Sequence, residues 1–238
     1  MVGSLLVLAR CAGFVFRAPG FSHPSVPAVV RAAVALLLAA VLAGTGAPHA
    51  AAAYDGAAFA LAVAGEFAVG AGFGMAASLV YDAAYAGGRV VDDYVGVKAI
   101  APSLQLVAPS GFGRLWSLAF TGAFFLTGAY RPVLAGFAAS FSRLPVGGAP
   151  QAAGWATFAG GFASSFFAVA LQVAAPSVGL AFVVQIALGA LSRAVPRFGS
   201  FTLAFPLAFA AALVAAALAV PLYAQSLAGP MLALPGGP

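Results

Sequence analysis

The sequence predicts an all-α, polytopic, membrane-associated protein, and three observations carry that prediction. Only 6% of its 238 residues are charged and 63% are hydrophobic, with a mean hydropathy of +1.07, whereas a water-soluble domain carries roughly a quarter charged residues. Leu144 to Ser192 runs 49 residues without one charged side chain. The apolar stretches lack the period-two alternation of a lipid-exposed barrel, and Ala, Leu and Gly dominate them over β-branched residues. Water cannot be the main solvent for most of this surface.

Taken in order, the apolar stretches fall at 3–16, 29–46, 56–81, 115–140, 152–174, 177–192 and 199–224, and each reads as a helix. The first two are separated by Ala18 to Pro27, whose three prolines in ten residues exclude regular helix. Ala33 to Gly46 has an apolar, small-residue look, but it follows an earlier apolar segment, so the whole chain is read as mature protein. The third stretch ends before Gly87 to Arg114, the most polar region, with Asp92, Asp93, Lys98, Pro102 and Pro109; it reads as a long central loop. The charge-free tract would reach about 73 Å as one helix, more than twice the apolar thickness of a bilayer. Pro176, near its middle, is therefore where a bend is expected, dividing it into two helices. The tail, Leu234 to Pro238, reads as disordered. No stretch is long and polar enough for a second domain, so residues 1–238 are expected to form one.

The formal charge of +5 is spread out. Arg17, Arg31, Arg143, Arg193 and Arg197 flank helix ends, at lipid headgroups or water, and form no concentrated face for nucleic acid. Cys11 is the only cysteine and has no internal disulfide partner. His23 and His49 sit in separate connectors without a carboxylate at ligand spacing, so no metal or other cofactor is expected. Nucleotide-binding and hydrolase motifs are missing, and Lys98 is the only lysine, which argues against an enzyme.

Glu66 carries the one energetic argument, because it lies inside an apolar run, where a carboxylate at bilayer depth costs several kcal/mol. Two readings remain open: a proton or ion relay, with Asp82 at the end of the same segment, or a carboxylate facing the protein interior, paired with an arginine or protonated. Gln172 and Gln185 lie in the charge-free tract that Arg193 ends, and these residues join Glu66 as the polar groups expected to be buried, the glutamines as bonds between helices worth about 1 kcal/mol each. Small residues recur every four positions at Ala156, Gly160, Ser164 and Ala168, and at Gly70 and Gly74, a spacing that lets helices approach closely.

Several short patterns, in order, resemble one known family. They are Arg17-Ala-Pro-Gly-Phe-Ser-His-Pro-Ser-Val-Pro27 with Arg31; Glu66-x3-Gly70-x3-Gly74; Ala86-Gly87, Val91-Asp92 and Gly96; Ser140-x3-Leu144-Pro145-Val-Gly147; and Gln185-x3-Gly189-x3-Arg193-x2-Pro196, followed by Phe205-Pro206-Leu207. Together they resemble the FliR/SctT (SpaR) family of export-gate subunits in flagellar and injectisome type III secretion. Departures from the pattern are Gln185 in place of Asn, Arg197 in place of Gln, and Ala-Pro where the central loop has Asp-Pro.

The resemblance implies stacked helical hairpins forming one wall element of a helical hetero-oligomeric gate. Its partners would be FliP-like and FliQ-like subunits, with a FliB/FlhB-like switch subunit, and its substrates unfolded secreted proteins. Its location would be the bacterial inner membrane, at the base of a flagellar basal body or an injectisome. It further implies that the central loop helps plug the closed channel, with Val97, Ile100, Leu104, Leu106, Val107 and Phe112 as sealing residues. A small secondary transporter using Glu66 is the competing reading, although no internal repeat supports it.

Overall fold

A computed structural model describes residues 2–22, 26–44, 56–96, 111–148, 152–194 and 201–226. Among them are seven α-helices and no strand: α1 (Val2–Arg17), α2 (Ala28–Gly44), α3 (Gly56–Val95), α4 (Gly111–Leu126), α5 (Tyr130–Arg143), α6 (Ala152–Ala194) and α7 (Phe201–Ser226). The all-α class read from the sequence is the observed one. Two helices, Gly56–Val95 and Gly154–Arg193, are long and apolar enough to cross a membrane, and α4 with α5 makes a third candidate if a bent pair forms one span.

Three expectations about element boundaries need correction. Gly87 does not open a loop, because α3 continues to Val95. Its buried residues keep a helical spacing through that region (Ala84, Gly88, Val91, Val95), so the stripe that faces other helices never breaks. Gly87 and Gly88 serve close packing here: a Cβ on Gly88 would lie 2.5 Å from Gly113 Cα, and one on Gly87 would strike the backbone at Ala170. The Gly96 amide closes the helix on the Asp92 carbonyl at 3.1 Å.

The stretch 115–140 is two helices, not one. They bend by 77° at a break where Gly128 takes φ +74°, a left-handed conformation that costs a side-chain-bearing residue roughly 1–2 kcal/mol. Pro132 sits in the first turn of α5, where a missing N–H costs nothing because that amide has no helical partner. Gly128 followed by Pro132 was thus a readable boundary signal.

The division into two helices expected at Pro176 is not observed, since α6 is one continuous helix of 43 residues with Pro176 inside it. Proline removes one hydrogen bond, and packing on both sides of it holds the helix in register. Val173, Ala174, Ser177 and Ala181 are all buried, and Ser177 Oγ donates to the Ala212 carbonyl of α7 at 3.2 Å. At 1.5 Å per residue this helix is about 64 Å long, against a hydrocarbon layer of about 30 Å. A helix of this length is longer than one crossing of that layer needs.

The chain forms two compact units. In the first, which takes in residues up to Leu79 and Thr121–Ser164, the core joins Leu6, Val7, Cys11, Phe14 and Val15 of α1 to Val69 and Phe73 of α3 and to Phe137 and Phe141 of α5. Its centre is aromatic: Phe14 and Phe137 stack with centroids 4.2 Å apart, and Phe73 meets Phe137 edge-on at 5.9 Å. The second unit, built on Val80–Phe120 and the chain from Ser165 onward, packs the end of α3, α4, α6 and α7. There the contacts on α6 and α7 are mostly alanines (Ala174, Ala181, Ala208, Ala212, Ala216, Ala219) set against Val91, Phe112, Trp116 and Phe120. Small side chains let helix axes come close where no hydrophobic effect drives them together.

Candidate functional site

α1 and α3 approach each other backbone to backbone. A Cβ on Gly70 would collide with the Arg10 carbonyl group and stand 2.9 Å from the Phe14 amide; one on Gly74 would stand 2.6 Å from the Phe14 carbonyl oxygen. From the other side, a Cβ on Gly13 would collide with the Phe67 carbonyl. Of the two small-residue ladders, the Gly70/Gly74 one is used within the chain. The other one, Ala156, Gly160, Ser164 and Ala168, is exposed, and Gly160 faces open space.

This close contact brings two opposite charges together one turn from Gly70. Arg10 is 0% exposed and Glu66 2%. The guanidinium grips the carboxylate with two bonds, Nε to Oε2 at 2.5 Å and a terminal nitrogen to Oε1 at 3.0 Å, the fork geometry that makes Arg–carboxylate pairs directional. Its other terminal nitrogen donates to the Leu144 carbonyl at 2.9 Å and the Ser140 carbonyl at 3.4 Å. The Phe141 ring lies under the guanidinium carbon at 4.5 Å. Glu66 Oε1 also accepts the Gly147 amide at 2.8 Å.

The turn that supplies these groups follows from its sequence. α5 ends at Arg143, and the extended Leu144 turns its carbonyl toward Arg10. Pro145 stops the helix, Val146 buries its side chain, and Gly147 takes φ +88° to aim its amide at Glu66. The pair therefore fastens α1, α3 and the α5–α6 connector at one point. Both carboxylate oxygens and all three guanidinium nitrogens are engaged within the protein. Of the two readings of Glu66, the arginine-paired carboxylate is the one the geometry supports. Its partner, Arg10, was missed in the sequence, although it was signalled there: it stands alone inside the apolar stretch 3–16 as Glu66 does in its own.

A second buried carboxylate lies in the other unit. Asp92 is 1% exposed, and its Oδ1 accepts the Phe112 amide at 3.2 Å, which places a negative charge on the first turn of α4. Phe112 itself is 3% exposed and meets Phe209 edge-on at 5.3 Å. It is a core residue of a helix, not a member of a sealing loop. The other sealing candidates, Val97, Ile100, Leu104, Leu106 and Val107, lie outside the described residues. Gln172, Gln185 and Arg193, expected to be buried, are exposed on α6, because the face that α6 packs against its neighbours carries Val173, Ala174, Ser177 and Ala181 instead.

The residues that converge here are those of the ordered patterns: Glu66 and Gly70 from one, Ser140, Leu144 and Gly147 from another. Residues 1–233 match the family described as bacterial export proteins, family 1. The chain is also similar to the flagellar biosynthetic protein FliR of Bacillus subtilis (strain 168), at 30% identity over 217 residues, which cover 88% of this chain and 83% of that protein. A match running from the first helix through the last, joined to this likeness, shows that the chain belongs to the bacterial export proteins, family 1.

Proposed function

We propose that the chain is a non-catalytic structural subunit of the type III flagellar protein export gate, built into a channel through which unfolded subunits leave the cell. The observation that carries this reading is the match to the export family and to a flagellar relative over nearly the whole chain. The geometry agrees with it: Glu66, the strongest candidate for transport chemistry, is committed to Arg10 and Gly147. What it does is tie three segments together, as a wall element requires. The same role in an injectisome is the second reading; the flagellar relative favours the first.

On this reading the partners are FliP-like and FliQ-like subunits with a FliB/FlhB-like switch subunit, and the assembly sits in the bacterial inner membrane. Apolar side chains exposed among the described residues, such as Leu37 and Val41 on α2 and Phe167 and Leu171 on α6, are the surfaces for those neighbours and for lipid. Cells that lack this chain but retain the rest of the apparatus are expected to export no filament subunits, and re-expression restores export. Undiminished filament protein in the medium of the deleted strain would contradict the proposal.

A further inference from the structure

The corner between α4 and α5 combines features found together at a lipid interface. Among the described large apolar side chains none is more exposed than Leu126, at 90%, and its neighbour Phe125 is 44% exposed. The Phe125 ring nevertheless has a firm backing: it lies so close to Gly20 that a Cβ there would be 2.7 Å from the ring, and it sits 6.1 Å from the Tyr130 ring. Next to this apolar point stands a cation. Arg131 is exposed, and its guanidinium lies over the Tyr130 ring at 5.9 Å.

The hydrogen bonding of the corner is equally specific. Thr127 sends both its amide and its hydroxyl to the Ala123 carbonyl, at 2.9 and 2.8 Å. The Gly128 amide reaches the Phe125 carbonyl at 3.3 Å, and the Arg131 amide reaches the Gly128 carbonyl at 3.0 Å. A turn in water can leave such groups to solvent, whereas one touching hydrocarbon must close them internally. The composition, an exposed leucine and phenylalanine flanked by tyrosine and arginine, is that of residues at headgroup level, with aromatic rings and basic side chains at the boundary and aliphatic ones below it.

We infer that the α4–α5 corner is a lipid contact: Leu126 and Phe125 enter the acyl edge of the bilayer, while Arg131, steadied by Tyr130, sits among the phosphates. A bend of 77° between α4 and α5 leaves this apolar and aromatic group at the point of the turn. The inference rests on this being a membrane protein and does not depend on the export role.

The test places a spin label at Leu126→Cys in the full chain, purified within its membrane assembly and reconstituted into nanodiscs containing phosphatidylglycerol; native Cys11 is buried and stays unlabelled. Collision rates with oxygen, which concentrates in hydrocarbon, are compared with those of a water-soluble nickel chelate. Oxygen is expected to dominate at Leu126→Cys, with the ratio falling toward the water value for a label at Arg131→Cys. Two results overturn the inference: nickel access at Leu126 equal to that of a water-exposed site, or access by neither reagent, which means protein covers the corner. If the cysteine variant fails to assemble, Leu126→Trp with brominated lipids probes the same contact. Tryptophan emission must then be quenched beyond that of the wild type, and equal quenching counts against the contact.

Discussion

Glu66→Ala is expected to destabilise the first unit by about 3–5 kcal/mol, because it strands a buried guanidinium beside apolar side chains. Total stability of a domain is about 5–15 kcal/mol, so this one change removes a large share of it. Arg10→Leu is expected to do similar damage from the other side, leaving the Glu66 carboxylate buried with only the Gly147 amide and orphaning the Leu144 carbonyl. Replacing both by apolar residues of similar size is expected to cost less than either single change, since no lone charge remains. Reversing the pair is expected to fail. A carboxylate at position 10 would face the carbonyl oxygens of Ser140 and Leu144, and a guanidinium at position 66 would meet the Gly147 amide, donor against donor. Thermal unfolding of the purified chain in mild detergent reads all four variants. A charge-reversed protein as stable as the wild type would show that the surrounding carbonyls and amide contribute nothing.

The second large effect is expected from a single methyl group. Gly70→Ala inserts a Cβ that has no room: it would overlap the Arg10 carbonyl oxygen and stand 2.8 Å from the carbonyl carbon and 2.9 Å from the Phe14 nitrogen. These are backbone atoms and cannot rotate away, so α1 must move off α3 and draw Arg10 from Glu66 as it goes. Overpacking of this kind costs roughly 1–3 kcal/mol before the loss of the ion pair is added. Gly160→Ala supplies the contrast. Nothing lies within 4 Å of its Cβ position, so the chain is expected to gain about 0.5–1 kcal/mol from the better helix former. The two melting temperatures should move in opposite directions from the wild type. A Gly70→Ala protein that melts with the wild type would contradict the close helix contact.

The sequence made some of this legible and hid the rest for physical reasons. The helical class followed from composition and periodicity, which depend on solvent and backbone alone. That Glu66 needs compensation was readable because a charge within an apolar run demands it, but that an arginine rather than a proton supplies it, and which one, required knowing that Gly13, Gly70 and Gly74 bring α1 onto α3. The ends of helices were least readable where tertiary contacts decide them. Gly87 and Gly88 look like breakers until α4 and α6 are seen packed against them, and Pro176 looks like a helix end until its flanking residues are found buried on both sides. Gln172 and Gln185 were assigned to the interior because they lie in an apolar tract, yet the interior face of α6 is made of valine, alanine and serine.

The central claim is that this chain is one element of a multi-subunit gate. It is tested most directly by tagging the chain in cells that assemble the apparatus, extracting it in mild detergent, and identifying by mass spectrometry what remains bound. The account predicts FliP-like and FliQ-like subunits in a stable complex with the tagged chain. Recovery of the tagged chain alone, from cells in which those partners are present and assembled, would contradict it.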